Sequence, residues 1–269
     1  MFAKRLVSGV LLLAALIALL APGGYITLIA LTCLSLMGLY ELYRVFDMHK
    51  SIVGIMGYLC TLLYYANIYF KFYETDRMFI IIFLMLSLFV YVFRYPTFKI
   101  GQIAGTFFGL FYVSIMLSFI FLIRDLPDGV YMVWLVFLCS WGCDTCAYCV
   151  GMLLGKHKFA PLLSPKKSVE GAIGGIIGAA LLGALYGAVL FKFFGFGENC
   201  APEFAIICGC AAFFSQLGDL AASGIKRDYG IKDYSNLIPG HGGVLDRFDS
   251  VIITAPMIYY LAIYFLDIK

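Results

Sequence analysis

The chain has 269 residues, of which 63% are hydrophobic and 13% charged, with a formal net charge of +3 and a mean hydropathy of +0.96. A soluble domain carries about 25% charged residues, so this composition excludes a water-soluble globule. The nine cysteines are odd in number and fall mostly in apolar runs, which excludes a disulfide framework.

About 20 consecutive apolar residues cross a bilayer. Nine such runs are present, at roughly 4–21, 25–46, 52–70, 78–95, 100–123, 130–154, 171–194, 202–225 and 248–266. The expected fold class is therefore all-α, a polytopic integral membrane protein with about nine transmembrane helices. Its 269 residues form a single integral membrane domain, with scaffold helices over 1–125 and catalytic helices and loops over 126–269. Lys4 and Arg5 precede the first run as they would in a secretory signal. No small-x-small cleavage site follows, and Pro22-Gly23-Gly24 reads as a turn into the second span, so the first helix is retained.

With the N-terminus inside and the spans alternating, fourteen of the 19 Lys and Arg fall on the inner side. The positive-inside rule then orients the protein. Both polar segments, 155–170 and 226–247, face the cytoplasm, where their cations meet anionic headgroups or anionic substrates.

The first five runs carry few internal charges. They read as scaffold, lipid-facing wall and an oligomer surface suited to a homodimer, and no repeat points to an inverted-repeat transporter. The sixth holds Cys139, Cys143, Cys146 and Cys149. Their spacing resembles that of some iron–sulfur enzymes. On a continuous helix, however, these thiols scatter, and they read instead as small hydrophobes.

Asp144 lies in the same run beside Thr145 and Tyr148, and an ionisable group at membrane depth is a site hypothesis by default. The following loop brings Lys156, Lys158, Ser164, Lys166, Lys167 and Ser168. The seventh run is rich in glycine, and Gly174-x3-Gly178 and Gly183-x3-Gly187 predict close helix packing. In the eighth, Ser215, Asp219 and Ser223 recur every four residues, so they share one face, which Lys226 continues toward the cytoplasm. Arg227 and Lys232 add cations able to neutralise a polyphosphate.

His241-Gly242-Gly243 follows Pro239-Gly240, a turn that lets backbone approach a ligand, with a histidine fit for phosphate contact or proton transfer. Asp246 and Asp249 then flank Arg247 at the start of the ninth run. At i and i+3 the two carboxylates share a face at a helix N-terminus, where negative charge is favoured. With Asp219, and with Asp144 in support, they offer oxygen ligands of the kind Mg²⁺ takes.

The run S-x-I-K-R-x4-K-D-x-S-x2-I-P-x-H-G-G-V-x-D-R-F-D, from Ser223 to Asp249, resembles the pattern of the phosphatidate cytidylyltransferase (CDP-diacylglycerol synthase) family. The segment from Asp144 to Gly171 resembles it too, with Ser168 where a threonine is more usual. The resemblance implies transfer of CMP from CTP to phosphatidic acid, giving CDP-diacylglycerol and pyrophosphate, with Mg²⁺ required and a second metal or a monovalent cation as an option.

That chemistry, laid over the residues above, assigns Asp219, Lys226, Arg227, His241 and Asp246 to catalysis, and Asp219, Asp246, Asp249 and Asp144 to the metal. It assigns substrate binding to Asp144, Thr145, Tyr148, Ser164, Lys166, Lys167, Ser168, Ser223, Lys232, Gly242, Gly243 and Arg247. The expected location is the plasma membrane of a bacterium, with the active-site loops cytoplasmic. The rivals are a polyprenol or phytol kinase, a cytidylyltransferase for another lipid, and a transporter using Asp144 and Asp219 as ion sites. No nucleic-acid module is present, because the basic residues follow membrane topology.

Overall fold

The computed structural model describes residues 2–71, 76–195, 199–238 and 242–266. Long apolar runs fold as helices because, in hydrocarbon, each backbone N–H and C=O must bond within its own segment. The helices are α1 (Phe2–Leu20), α2 (Gly24–Val45), α3 (Ile52–Phe70), α4 (Asp76–Phe93) and α5 (Ile100–Gly109). A π-helical turn (Leu110–Ile115) joins α5 to α6 (Met116–Asp125). There follow α7 (Gly129–Leu154), the strands β1 (Lys158–Ala160) and β2 (Ser164–Ser168), α8 (Val169–Phe194), α9 (Ala201–Asp228) and α10 (Leu245–Phe265).

The protein is a helical membrane protein with almost no sheet. Among the described residues seven helices are long and apolar enough to cross a bilayer, α5 and α6 together making one of them. The expected nine are not all matched. The first and fourth fall on α1 and α4, whose described apolar stretches are Gly9–Leu20 and Met78–Phe93. A second difference is the hairpin of β1 and β2, in a segment whose sequence reads only as a polar loop.

The chain forms two compact units. One comprises Met1–Phe121 with Asp233–Asp246, the other Leu122–Lys232 with Arg247–Lys269. In the first unit, hydroxyl groups cluster around the π-helical turn. Tyr43 donates to the carbonyl of Thr106 at 2.8 Å, Thr61 and Ser114 share a hydrogen bond of 2.8 Å, and Tyr65 bonds both Ser35 and the carbonyl of Ser114. Buried polar groups must be paired, and here each hydroxyl also ties one helix to another.

In the second unit α8 packs through its glycines, as their spacing predicts. A Cβ on Gly174 would meet Val150 and one on Gly178 would meet Cys146, both on α7, while Gly183 and Gly187 lie against the start of α9. Cys139 and Cys143 are buried, and their thiols donate to the carbonyls of Cys208 and Ala212 on α9. Gln216 of α9 donates to the carbonyl of Ala172 on α8 at 2.9 Å. The three helices are thereby held in one register.

Candidate active site

The ends of α7, α8 and α9 and the strand β2 enclose a cavity of about 400 Å³. Its walls carry Asp144 and Tyr148 from α7, Lys166, Lys167 and Ser168 from β2, and Gln216 and Asp219 from α9. Each wall has a local cause. α7 stops at Gly155, and β1 pairs antiparallel with β2, Lys158 opposite Ser168 and Ala160 opposite Ser164.

The hairpin is fastened to the first turn of α8. Glu170 accepts from the backbone N–H of Lys156 at 3.0 Å and of His157 at 3.2 Å, and meets Nδ1 of His157 at 2.6 Å. Ser168 caps the same helix by accepting from the N–H of Gly171 at 3.1 Å, satisfying one of the orphan donors of a helix start. Ser168→Ala is expected to cost about 1 kcal/mol of unfolding free energy, measurable as a lowered unfolding midpoint in detergent.

Lys167 forms an ion pair of 2.5 Å with Oδ2 of Asp219, each side chain about one quarter exposed (24% and 26%). Ser223, four residues on, approaches Oδ1 of Asp219 at 3.5 Å, at the outer limit of a hydrogen bond. Asp219 lies within Coulombic reach of both Asp144 and Asp249. Asp144 also senses Lys167 and Arg247, and Asp249 senses Lys226. The second unit therefore gathers three carboxylates and three cations. Among the described residues no three or more His, Cys, Asp or Glu side chains stand close enough to hold a metal ion unaided.

Other expected site residues belong to the same unit but are not among the residues that line this cavity. Thr145 is exposed on α7, and its hydroxyl is spent on the carbonyl of Trp141. Ser164 begins β2, Lys226 and Arg227 fill the last turn of α9, and Lys232 is exposed just beyond it. Arg247 is partly buried on α10, and its carbonyl accepts from the Trp141 indole at 3.4 Å.

In the first unit the segment Asp233–Asp246 is built around two carboxylates. Oδ2 of Asp246 accepts from the N–H of Tyr234 at 2.8 Å and of Gly243 at 2.9 Å. Glu41 of α2 accepts from the Ser235 hydroxyl at 2.6 Å and from the N–H of Val244 and of Leu245. The two glycines make room for these acids. Gly242 has φ +86° and faces Asp246, and a Cβ on Gly243 would lie 2.6 Å from Oε1 of Glu41. The N–H groups of residues 243–245 are thus used within the chain. His241 lies outside the described residues.

Sequence reasoning passed over Glu41 and Gln216. A lone acid in an otherwise apolar helix was the available signal for the first. The second had only its place one residue after the serine of the polar stripe.

Residues 3–265 match the cytidylyltransferase family. The chain is similar to a protein of Bacillus subtilis (strain 168) named phosphatidate cytidylyltransferase, 31% identical over 264 residues and covering 96% of both chains. It is equally similar to one of that name from Staphylococcus aureus (strain COL), 31% identical over 96% of this chain and 98% of the other. A third, from Staphylococcus saprophyticus, is 39% identical over 56% of each chain. A family match over nearly the whole length, with relatives matched end to end, places this chain in the cytidylyltransferase family.

Proposed function

We propose that the chain is a membrane-embedded phosphatidate cytidylyltransferase, joining CTP and phosphatidic acid into CDP-diacylglycerol and releasing pyrophosphate. One observation carries this reading. The cavity that places Lys166, Lys167 and Ser168 opposite Asp144 and Asp219 belongs to a chain whose relatives bear that name over 96% of its length.

In the reaction a phosphate oxygen of phosphatidic acid attacks the α-phosphorus of CTP. The bond from that phosphorus to the bridging oxygen breaks, and pyrophosphate leaves with the electron pair. Both reactants are anions, so charge repulsion and alignment are the chief obstacles. Lys166 and Lys167 on the clamped hairpin hold phosphate oxygens from one side of the cavity. Lys226, Arg227 and Arg247 supply positive charge at the ends of α9 and α10. The acyl tails stay in the bilayer, and the hairpin and the ends of these helices face the cytoplasm of a bacterial cell.

The carboxylates fit Mg²⁺ bound in its usual nucleotide manner, through one or two acids with water and phosphate completing the shell. Asp219, with Asp144 or Asp249, supplies those acids, and Asp246 serves the loop before α10. When bound, the ion neutralises developing charge on the phosphates. Asp219 keeps Lys167 in place until a phosphate competes for it.

Purified protein in mixed micelles with labelled CTP and phosphatidic acid is expected to form CDP-diacylglycerol and pyrophosphate in equal amounts. Release of CDP with a phosphorylated lipid would make it a kinase. Turnover only with another lipid phosphate would move the substrate and keep the chemistry.

A further inference from the structure

Glu41 is costly where it stands. It is 3% exposed, near the C-terminal end of α2, where the helix dipole favours cations over anions. Its neighbours Leu39, Leu42 and Tyr43 are fully buried, so the acid stands in an otherwise apolar stretch of the helix.

What Glu41 holds is the start of α10. The first N–H groups of a helix have no partner inside it, and Val244, just before α10, brings no side-chain acceptor. Glu41 fills that role from another helix. Oε1 takes the Ser235 hydroxyl at 2.6 Å and the N–H of Val244 at 2.9 Å, and Oε2 takes the N–H of Leu245 at 2.8 Å. One turn earlier on α2, Gly38 leaves space for the Leu245 side chain: a Cβ there would sit 3.1 Å from Cδ2 of Leu245. Gly38 and Glu41 share a face, so α2 offers a socket with an apolar half and an anionic half. Asp246 closes the loop from the other direction through Gly243 and Tyr234.

We infer that Glu41 is a positioning residue for cytidylyl transfer, a cap supplied by α2 that fixes the backbone of Val244 and Leu245, where α10 begins. This rests on the reading of α10 as part of the reaction centre. Glu41→Gln keeps the shape, but whichever way the amide turns, its NH₂ group faces N–H donors.

The test measures CDP-diacylglycerol formation by Glu41→Gln in mixed micelles. The expected result is a kcat lower by roughly a hundredfold, the loss that about 1 Å of misalignment causes, with KM for CTP within about threefold of wild type. Hydrogen exchange in the peptide spanning 242–250 is expected to accelerate. A folded Glu41→Gln enzyme with wild-type kcat, even at a lowered unfolding midpoint, overturns the inference. If that variant does not accumulate, Glu41→Asp, which keeps the charge and withdraws it by one methylene, decides in its place. A kcat down by about tenfold supports the role, and an unchanged kcat removes it. Asp249→Asn is assayed in parallel. Full activity there would overturn the place of α10 in the reaction centre, whereas its collapse beside an unaffected Glu41→Gln would remove Glu41 alone.

Discussion

Asp219→Asn is expected to slow CDP-diacylglycerol formation by roughly a thousandfold, about 4 kcal/mol of transition-state stabilisation, while the protein stays folded. The substitution preserves volume and removes one charge from the centre of a cluster. Asp219 is the carboxylate that acts on both Asp144 and Asp249, and it pairs with Lys167. Its loss leaves the cavity more positive, so the triphosphate still has Lys166 and Lys167 to bind. The kinetic signature follows: kcat collapses, and KM for CTP stays level or falls. Lys167→Met should do the reverse in part, raising KM for CTP by about tenfold through the loss of a charge-assisted contact. A rise in KM with kcat retained for Asp219→Asn would show that the acid only orients Lys167.

Features with short-range causes were legible in the sequence. A run of 20 apolar residues must be helical in a bilayer, so Gly129–Leu154, Val169–Phe194 and Ala201–Asp228 were recognisable as spans. The stripe of Ser215, Asp219 and Ser223 follows from 3.6 residues per turn, and Ser223 does approach Asp219. The glycine spacing of α8 announced its packing. Less visible were pairings across long separations. Lys167 and Asp219 are both suspicious alone, but nothing local says that they meet. Glu41 lies 203 residues before Val244, inside a stretch that reads as inert scaffold. The hairpin was hidden because Ser164–Ser168 reads S-P-K-K-S, which lacks the alternation and β-branched residues of a strand. Its fastening by Glu170, rather than strand propensity, holds it in place.

That fastening needs α7 and α8 to touch at the cavity, and Gly171 is where they do. A Cβ there would lie 2.7 Å from the carbonyl oxygen of Ala147 and 3.1 Å from the Cα of Gly151, both backbone atoms of α7, and 3.0 Å from the Ser168 hydroxyl. Backbone cannot rotate out of the way, so any side chain must push the helices apart. Gly171→Val is accordingly expected to lose about 3 kcal/mol of stability and most of its activity, because the same displacement moves Ser168 and the lysines beside it. Gly209→Ala is the control. Its Cβ would make only an ordinary contact, 3.4 Å from that of Ala180, and alanine is the better helix former by roughly 1 kcal/mol. Unfolding of both variants in detergent, followed with CTP turnover, separates the cases. If the two substitutions prove equally mild, the close approach of α7 and α8 is not what shapes the cavity, and the hairpin must hold its lysines by Glu170 alone.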